Sequence, residues 1–277
     1  MRILKNIGTI ALISVALIYS ISPAAGAAGE AVVETVLVDQ LTKTEGIAAC
    51  PNGKVFTVEN GTGRILQILS DKKAEMFFQA SPGAAGLACD SKNRLFLAEY
   101  SKSDVLMVSS DGKKGDVYAS GFKTPNGITV GPDDVVYVSD SDAGTVTAIR
   151  KDGVKEVMLS GISFANGLAI GDEGAVLYVA QTLSNKVFAT PVSGDNKGKK
   201  KTVSKELKTV DGIAISPEGV LYACLFTTGE LARLGDGGKV EIAAKGLQGP
   251  ANPLFINGAI YVTNMQGKGL SKIKIAE

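Results

Sequence analysis

The chain has 277 residues, with 29 Lys plus Arg against 28 Asp plus Glu, three Cys, no Trp and no His. Without histidine there is no Ser–His–Asp triad, no Cys–His dyad and no His-ligated zinc or haem, so a general base is a carboxylate, Lys, Tyr, Cys or metal-bound water. Charged residues are 21% of the chain with the signs balanced, which argues against a nucleic-acid partner, and three distant cysteines form no CxxC motif.

In chain order, Arg2 and Lys5 precede an apolar run from Ile7 to Ile21, then small residues through Ala28. This is the n-region, h-region and cleavage pattern of a signal peptide, with Ala25-Gly26-Ala27 as the A-x-A-like site. The run is short for a membrane span. Residues 1–27 are expected to be removed, leaving residues 28–277 as one domain that is secreted or periplasmic, with no stable membrane insertion after cleavage. Removing Arg2 and Lys5 turns the net charge from +1 to −1.

The rest of the chain repeats. A residue followed by Gly opens an apolar run, a Gly/Asp/Asn turn follows, then an aromatic-containing strand. The instances begin at Glu45, Ala85, Asn126, Asn166 and Asp211, and a sixth, Asn252-Pro253, has Pro in place of Gly. A period near 40 residues with several short strands per unit predicts a β-propeller. The third unit reads as strands over Gly127–Val130, Val135–Ser139, Thr145–Ile149 and Glu156–Leu159. The fold class is therefore all-β, a six-bladed propeller of four-stranded blades. The sixth unit lacks a fourth strand, and Val32–Val38 is expected to complete it and close the ring. One Lys-rich insertion, Gly194 to Lys208, reads as a solvated loop between blades rather than an anion-binding patch.

Equivalent positions of a propeller sit at one height around its axis. The pre-glycine position gives Glu45, Ala85, Asn126, Asn166, Asp211 and Asn252: two carboxylates and three amides at the mouth of apolar strands. Ordinary Asn/Asp-Gly turn chemistry accounts for any one of them. The whole set is better accounted for by a shared cation with oxygen ligands, and the donor types suit Ca²⁺. A second ring follows at the ends of the second strands, where Glu59, Glu99, Asp140, Gln181, Leu225 and Asn264 fall. Glu59, Glu99 and Asp140, with Asn252, are candidate substrate contacts.

These repeats, with the Glu-Gly, Asn-Gly, Asn-Gly, Asp-Gly series in order, resemble the senescence marker protein/gluconolactonase/luciferin-regenerating-enzyme family over about residues 35–275. More distantly they resemble diisopropyl fluorophosphatase, paraoxonase and strictosidine synthase propellers. The resemblance implies metal ligands at Glu45, Asn166 and Asp211, with Asn126 as a further ligand or substrate contact. It implies a divalent-cation-dependent hydrolase of lactones or related esters in which Asp211 is both ligand and catalytic base or nucleophile. The chain departs from that pattern in two ways. It lacks the histidines of the paraoxonase-like members, and it has Phe122-Lys123-Thr124-Pro125 where gluconolactonase-like members place an Arg. Lys123 is then a partial replacement as substrate contact, which argues against an aldonolactone. A monomer acting on a small lactone or ester is expected, and the alternative is a non-catalytic NHL-like binding or scaffold propeller.

Three smaller features complete the reading. Cys50 and Cys89 sit at adjacent offsets in neighbouring blades and read as two buried small hydrophobes, with a disulfide as the alternative. Cys224 reads as core. Asp140-Ser141-Asp142-Ala143-Gly144 hints at a calcium loop but fails the EF-hand pattern at Lys151.

Overall fold

Side chains along Val136–Asp140 alternate between two neighbours. Val136 and Val138 pack with Phe96 and Val105 of the preceding blade, while Tyr137 packs with Leu177 and Val179 of the following one. Both faces of the sheet are covered, so its strands read as apolar runs instead of apolar-polar alternation. The computed structural model describes residues 31–274, and the expected signal peptide lies outside the described residues. Six such apolar clusters form among the described residues, one at each interface between adjacent blades.

The architecture is a six-bladed propeller of four-stranded antiparallel sheets. The innermost strands are Thr44–Ala49, Ala84–Cys89, Pro125–Val130, Ala165–Gly171, Val210–Ile215 and Pro250–Ile256. Each touches the next around the axis, and the last touches the first. The N-terminal strand Val32–Val36 supplies the fourth strand of blade 6. It pairs antiparallel with Leu270–Lys274, with Val32 opposite Lys274 and Val36 opposite Leu270. Closure in this way leaves the ring without an open seam.

Two sequence expectations are corrected. The Lys-rich insertion is not only a loop: Lys201–Ser204 is the outer strand of blade 4, pairing Val187 with Ser204 and Ala189 with Lys201. The outer strand faces solvent, so lysines serve there, and the added residues lengthen the turn that follows Pro191. Cys50 and Cys89 form a disulfide, with Cα atoms 5.2 Å apart across 39 residues. That separation is one repeat, which sets the ends of two adjacent innermost strands side by side. Cys224 is buried and free, as expected of a core residue.

Candidate metal centre at the channel mouth

The residues of the ring are aimed by a bulge. In blade 1, Thr44 lies opposite Glu59 but Ile47 lies opposite Thr57, so Glu45 and Gly46 share one partner position. The same shift recurs in the other five blades. Elsewhere on these strands side chains point at neighbouring blades. The extra residue rotates the first bulge side chain out of that plane, and Glu45, Ala85, Asn126, Asn166 and Asp211 all line the cavity at the channel mouth. The second bulge residue is glycine for reasons of space. A Cβ on Gly127 would stand 2.3 Å from the Asn166 carbonyl oxygen, and one on Gly167 2.5 Å from that of Asp211. Glycine is there because backbones meet, not because a turn requires it.

Blade 6 breaks the sequence alignment by one residue. Pro250 faces Asn264 and Pro253 faces Val262, so the bulge pair is Ala251-Asn252. Ala251 therefore holds the ring position and Asn252 the glycine position. The Asn252 Nδ2 donates to the Glu45 carbonyl at 3.1 Å, and the Thr263 hydroxyl donates to the same oxygen at 2.6 Å. Asn252 is thus placed at the seam between blades 6 and 1 and does not line the cavity.

The cavity measures about 470 Å³, within the range of small-molecule sites. Its charged lining consists of Glu45 and Asp211, with no Lys or Arg. Glu45 is 6% exposed. Its Oε2 is, among the described residues, the one buried side-chain polar atom without a hydrogen-bond partner. Burial, and then the charge of Asp211, push the Glu45 carboxyl well above the usual range. Burial pushes half-buried Asp211 up to about 7, against a lowering hydrogen bond from Asn166.

The amides are oriented by hydroxyls. Asn126 Nδ2 donates to Ser141 Oγ at 3.1 Å, and Asn166 Nδ2 to Thr182 Oγ1 at 3.2 Å. Those hydroxyls donate onward, Ser141 to the Ala165 carbonyl and Thr182 to that of Val210, each at 2.7 Å. With the amide nitrogens engaged, the carbonyl oxygens are left as ligands. A buried, unpartnered carboxylate oxygen, a second carboxylate raising its pKa and two amide oxygens fit a hard divalent cation. Among the described residues no group of three or more His, Cys, Asp or Glu is placed to hold a metal. The axial set has only two carboxylates and relies on amides for the rest.

The second ring is displaced by one residue from the sequence expectation. Glu59 accepts from the Thr42 amide and the Thr62 hydroxyl, Glu99 from the Ser81 amide, and Asp140 from the amides of Lys123, Thr124 and Ala143. These buried carboxylates close loops, including the segment that hinted at a calcium loop. Successive strand residues point to opposite sides, so the following residues Asn60, Tyr100, Thr182, Phe226 and Met265 face the cavity instead. Lys123 is exposed and outside the lining. The rim carries strain: Phe164 (φ 60°) and Thr209 (φ 50°) are left-handed where blades 2 and 6 have Gly83 and Gly249. Their carbonyls accept from the amides of Thr182 and Phe226, which fixes those lining residues.

Fold and site together define a six-bladed propeller with an oxygen-donor set at one mouth of its channel. Residues 137–266, from the second strand of blade 3 into blade 6, match the family described as SMP-30/Gluconolactonase/LRE-like region. The resemblance drawn from the sequence is to that family. A comparison with curated protein sequences returns no match. Among solved structures the chain is similar to a gluconolactonase from Xanthomonas campestris, with 19% identity, a TM-score of 0.78, and 90% of this chain and 91% of that one covered. It is also similar to regucalcin, a calcium-binding protein from Agrobacterium tumefaciens, with 16% identity, a TM-score of 0.72, and coverage of 87% and 92%. A third is virginiamycin B lyase from Staphylococcus aureus, with 16% identity, a TM-score of 0.67, and coverage of 89% and 100%. At these identities the likeness is one of fold.

Proposed function

We propose that this protein is an exported, divalent-cation-dependent hydrolase of lactones or related esters. The observation that carries this reading is the unpartnered Glu45 oxygen facing Asp211 in a small-molecule cavity. The family match and the gluconolactonase neighbour support the reaction class, and the calcium-binding neighbour supports Ca²⁺ as the ion. The Cys50–Cys89 disulfide and the N-terminal signal pattern support export to an oxidising compartment.

Glu45, Asn126, Asn166 and Asp211 would hold the cation. When bound, it would supply Lewis-acid polarisation of the substrate carbonyl. Asp211 is the one lining group besides Glu45 able to accept a proton as a carboxylate. It takes a proton from a water whose oxygen bonds to the carbonyl carbon. As the carbon–oxygen bond to the alcohol breaks, Asp211 returns that proton to the leaving oxygen, so acid and alcohol form from ester and water. The Ser141 and Thr182 hydroxyls keep Asn126 and Asn166 in position, and Phe164, Phe226 and Met265 limit water on one side.

The test is metal analysis of the purified protein followed by a lactone and aryl-ester screen with and without chelator. Asp211→Ala is expected to lower hydrolysis by at least about 100-fold and to weaken cation binding. Unchanged activity in that variant or after exhaustive chelation overturns the reading. A cavity lined by no histidine, lysine or arginine favours one other reading, a non-catalytic binding propeller. In that case the cation raises the melting temperature while no lactone or ester turns over.

A further inference from the structure

The cavity has two chemically different sides. Blades 1 to 3 contribute Asn60, Tyr100, Ser101 and Asn126, whereas Phe164, Phe226 and Met265 all come from blades 4 to 6, beside the polar Asn166, Thr182 and Thr209. Leu183 follows the lining residue Thr182 in a single 3₁₀ turn and is 72% exposed, the most exposed large apolar residue among the described residues. An isolated exposed Leu carries little meaning. Here it stands in blade 4, where its amide donates to the Ser163 carbonyl next to the lining residue Phe164.

Several polar groups of the lining are already engaged. Asn60 Nδ2 donates to the Ala84 carbonyl, the Tyr100 side chain hydrogen-bonds Thr124, and the Thr182 hydroxyl donates to the Val210 carbonyl. A hydroxyl set against Phe164, Phe226 or Met265 would leave water for a surface with no strong hydrogen-bond partner, and each such hydroxyl weakens binding by about tenfold. Charge adds a second restriction. The two lining carboxylates balance one divalent cation, and no basic residue is present to receive an anionic substituent.

We propose that the site takes an uncharged lactone or ester carrying an apolar alkyl or aryl substituent, with the acyl group beside Glu45 and Asp211 and the substituent against Phe164, Phe226 and Met265. This rests on the hydrolase reading above. Phe226 and Met265 set the specificity: they are the residues that follow the second strands of blades 5 and 6, where blade 1 has Asn60.

The experiment uses the cation-loaded protein with δ-decalactone, δ-valerolactone and glucono-δ-lactone. The expected kcat/KM for δ-decalactone exceeds that for δ-valerolactone by about 100-fold, with glucono-δ-lactone the poorest. In Phe226→Ala the decalactone-to-valerolactone ratio is expected to fall about tenfold. Calorimetry of the wild-type protein with the lactam analogues of decalactone and gluconolactone gives a readout independent of turnover and of that variant's folding. Binding of the pentyl-substituted lactam alone is the expected result. Preference for glucono-δ-lactone overturns this inference and leaves the hydrolase reading standing. Tight binding of the apolar lactam without hydrolysis of any lactone supports the recognition and removes the hydrolase. A ratio near one with neither lactam bound overturns the proposal.

Discussion

Glu45 and Asp211 place two carboxylates in one poorly solvated ring, and their charge state follows from that placement. Asp211 titrates at about 7 in the folded protein against an ordinary value of 3.8, because burial disfavours its charged form. A folded pKa above the unfolded one means that the folded chain holds the proton more tightly. Stability is therefore unaffected below the unfolded value and falls as pH rises through about 7. In chelator the protein should be less stable at pH 8 than at pH 5, by on the order of 2 kcal/mol after discounting for solvent in the channel. Asp211→Asn should reduce that fall, leaving the part that buried Glu45 contributes, and saturating Ca²⁺ should remove it from the wild type. Urea titrations at the two pH values measure this. A metal-free wild type equally stable at both would show that the pair is not strained by its charge.

At the scale of the element, the bulge carries the site, and its glycines carry the bulge. Gly167→Ala would drive a Cβ into the Asp211 carbonyl oxygen and the Gly212 Cα, at 2.5 and 2.6 Å. Backbone on both sides leaves no flexible atom to yield, so a loss of about 3 kcal/mol is expected by denaturant unfolding. Gly61→Ala meets its nearest atom, a lysine methylene, only at 3.9 Å, and should change stability by less than about 0.5 kcal/mol. Equal effects of the two would remove the close-approach argument. The Cys50–Cys89 bond joins the innermost strands of blades 1 and 2 across 39 residues, so Cys89→Ala should cost about 3 kcal/mol. The same geometry explains what the sequence disclosed. Blade number and closure were legible because the inner strands of each blade are covered on both faces and the 40-residue period repeats. The bulge was not legible, because one inserted residue leaves the spacing intact while changing which side chains face the axis. Hence Glu45, Asn126, Asn166 and Asp211 emerged from the repeat, while Asn60, Tyr100 and Phe226 were missed in favour of Glu59, Glu99 and a leucine. Matching Asn252 to a polar position, instead of to the residue opposite Asn264, displaced blade 6 by one. The disulfide could have been read from its one-repeat spacing.

For the whole molecule, ring closure and the site share one seam. The carbonyl of Glu45 accepts from Asn252 and Thr263 of blade 6, and the Thr44 hydroxyl donates to Gly269 while accepting from the Asn264 amide. Farther out, Asp71 of blade 1 accepts from the Tyr261 hydroxyl at 2.6 Å and from the Lys272 ammonium of blade 6. Burial alone would raise Asp71, but the hydrogen bonds from Lys272 and Tyr261 bring it below its ordinary value. Its contribution is accordingly present above the ordinary carboxylate range and lost as pH falls through the folded value. With its side chain 35% exposed, Asp71→Asn should cost only about 1 kcal/mol at pH 7, and that difference should vanish toward pH 3. Removing the N-terminal strand is a larger insult to the same seam. Val36 and Leu37 are buried against Ile47, Leu66 and Leu270, and Leu270–Lys274 would lose its outer partner. Deleting residues 31–40 should lower the melting temperature by about 10 °C or more. Because Glu45 is held by the blade that this strand completes, cation affinity should fall with it, read by terbium luminescence sensitised through Tyr100. Loss of stability with affinity intact would mean that the seam holds the fold but not the ligand. Melting within about 2 °C of the full chain would mean that the ring closes without the strand.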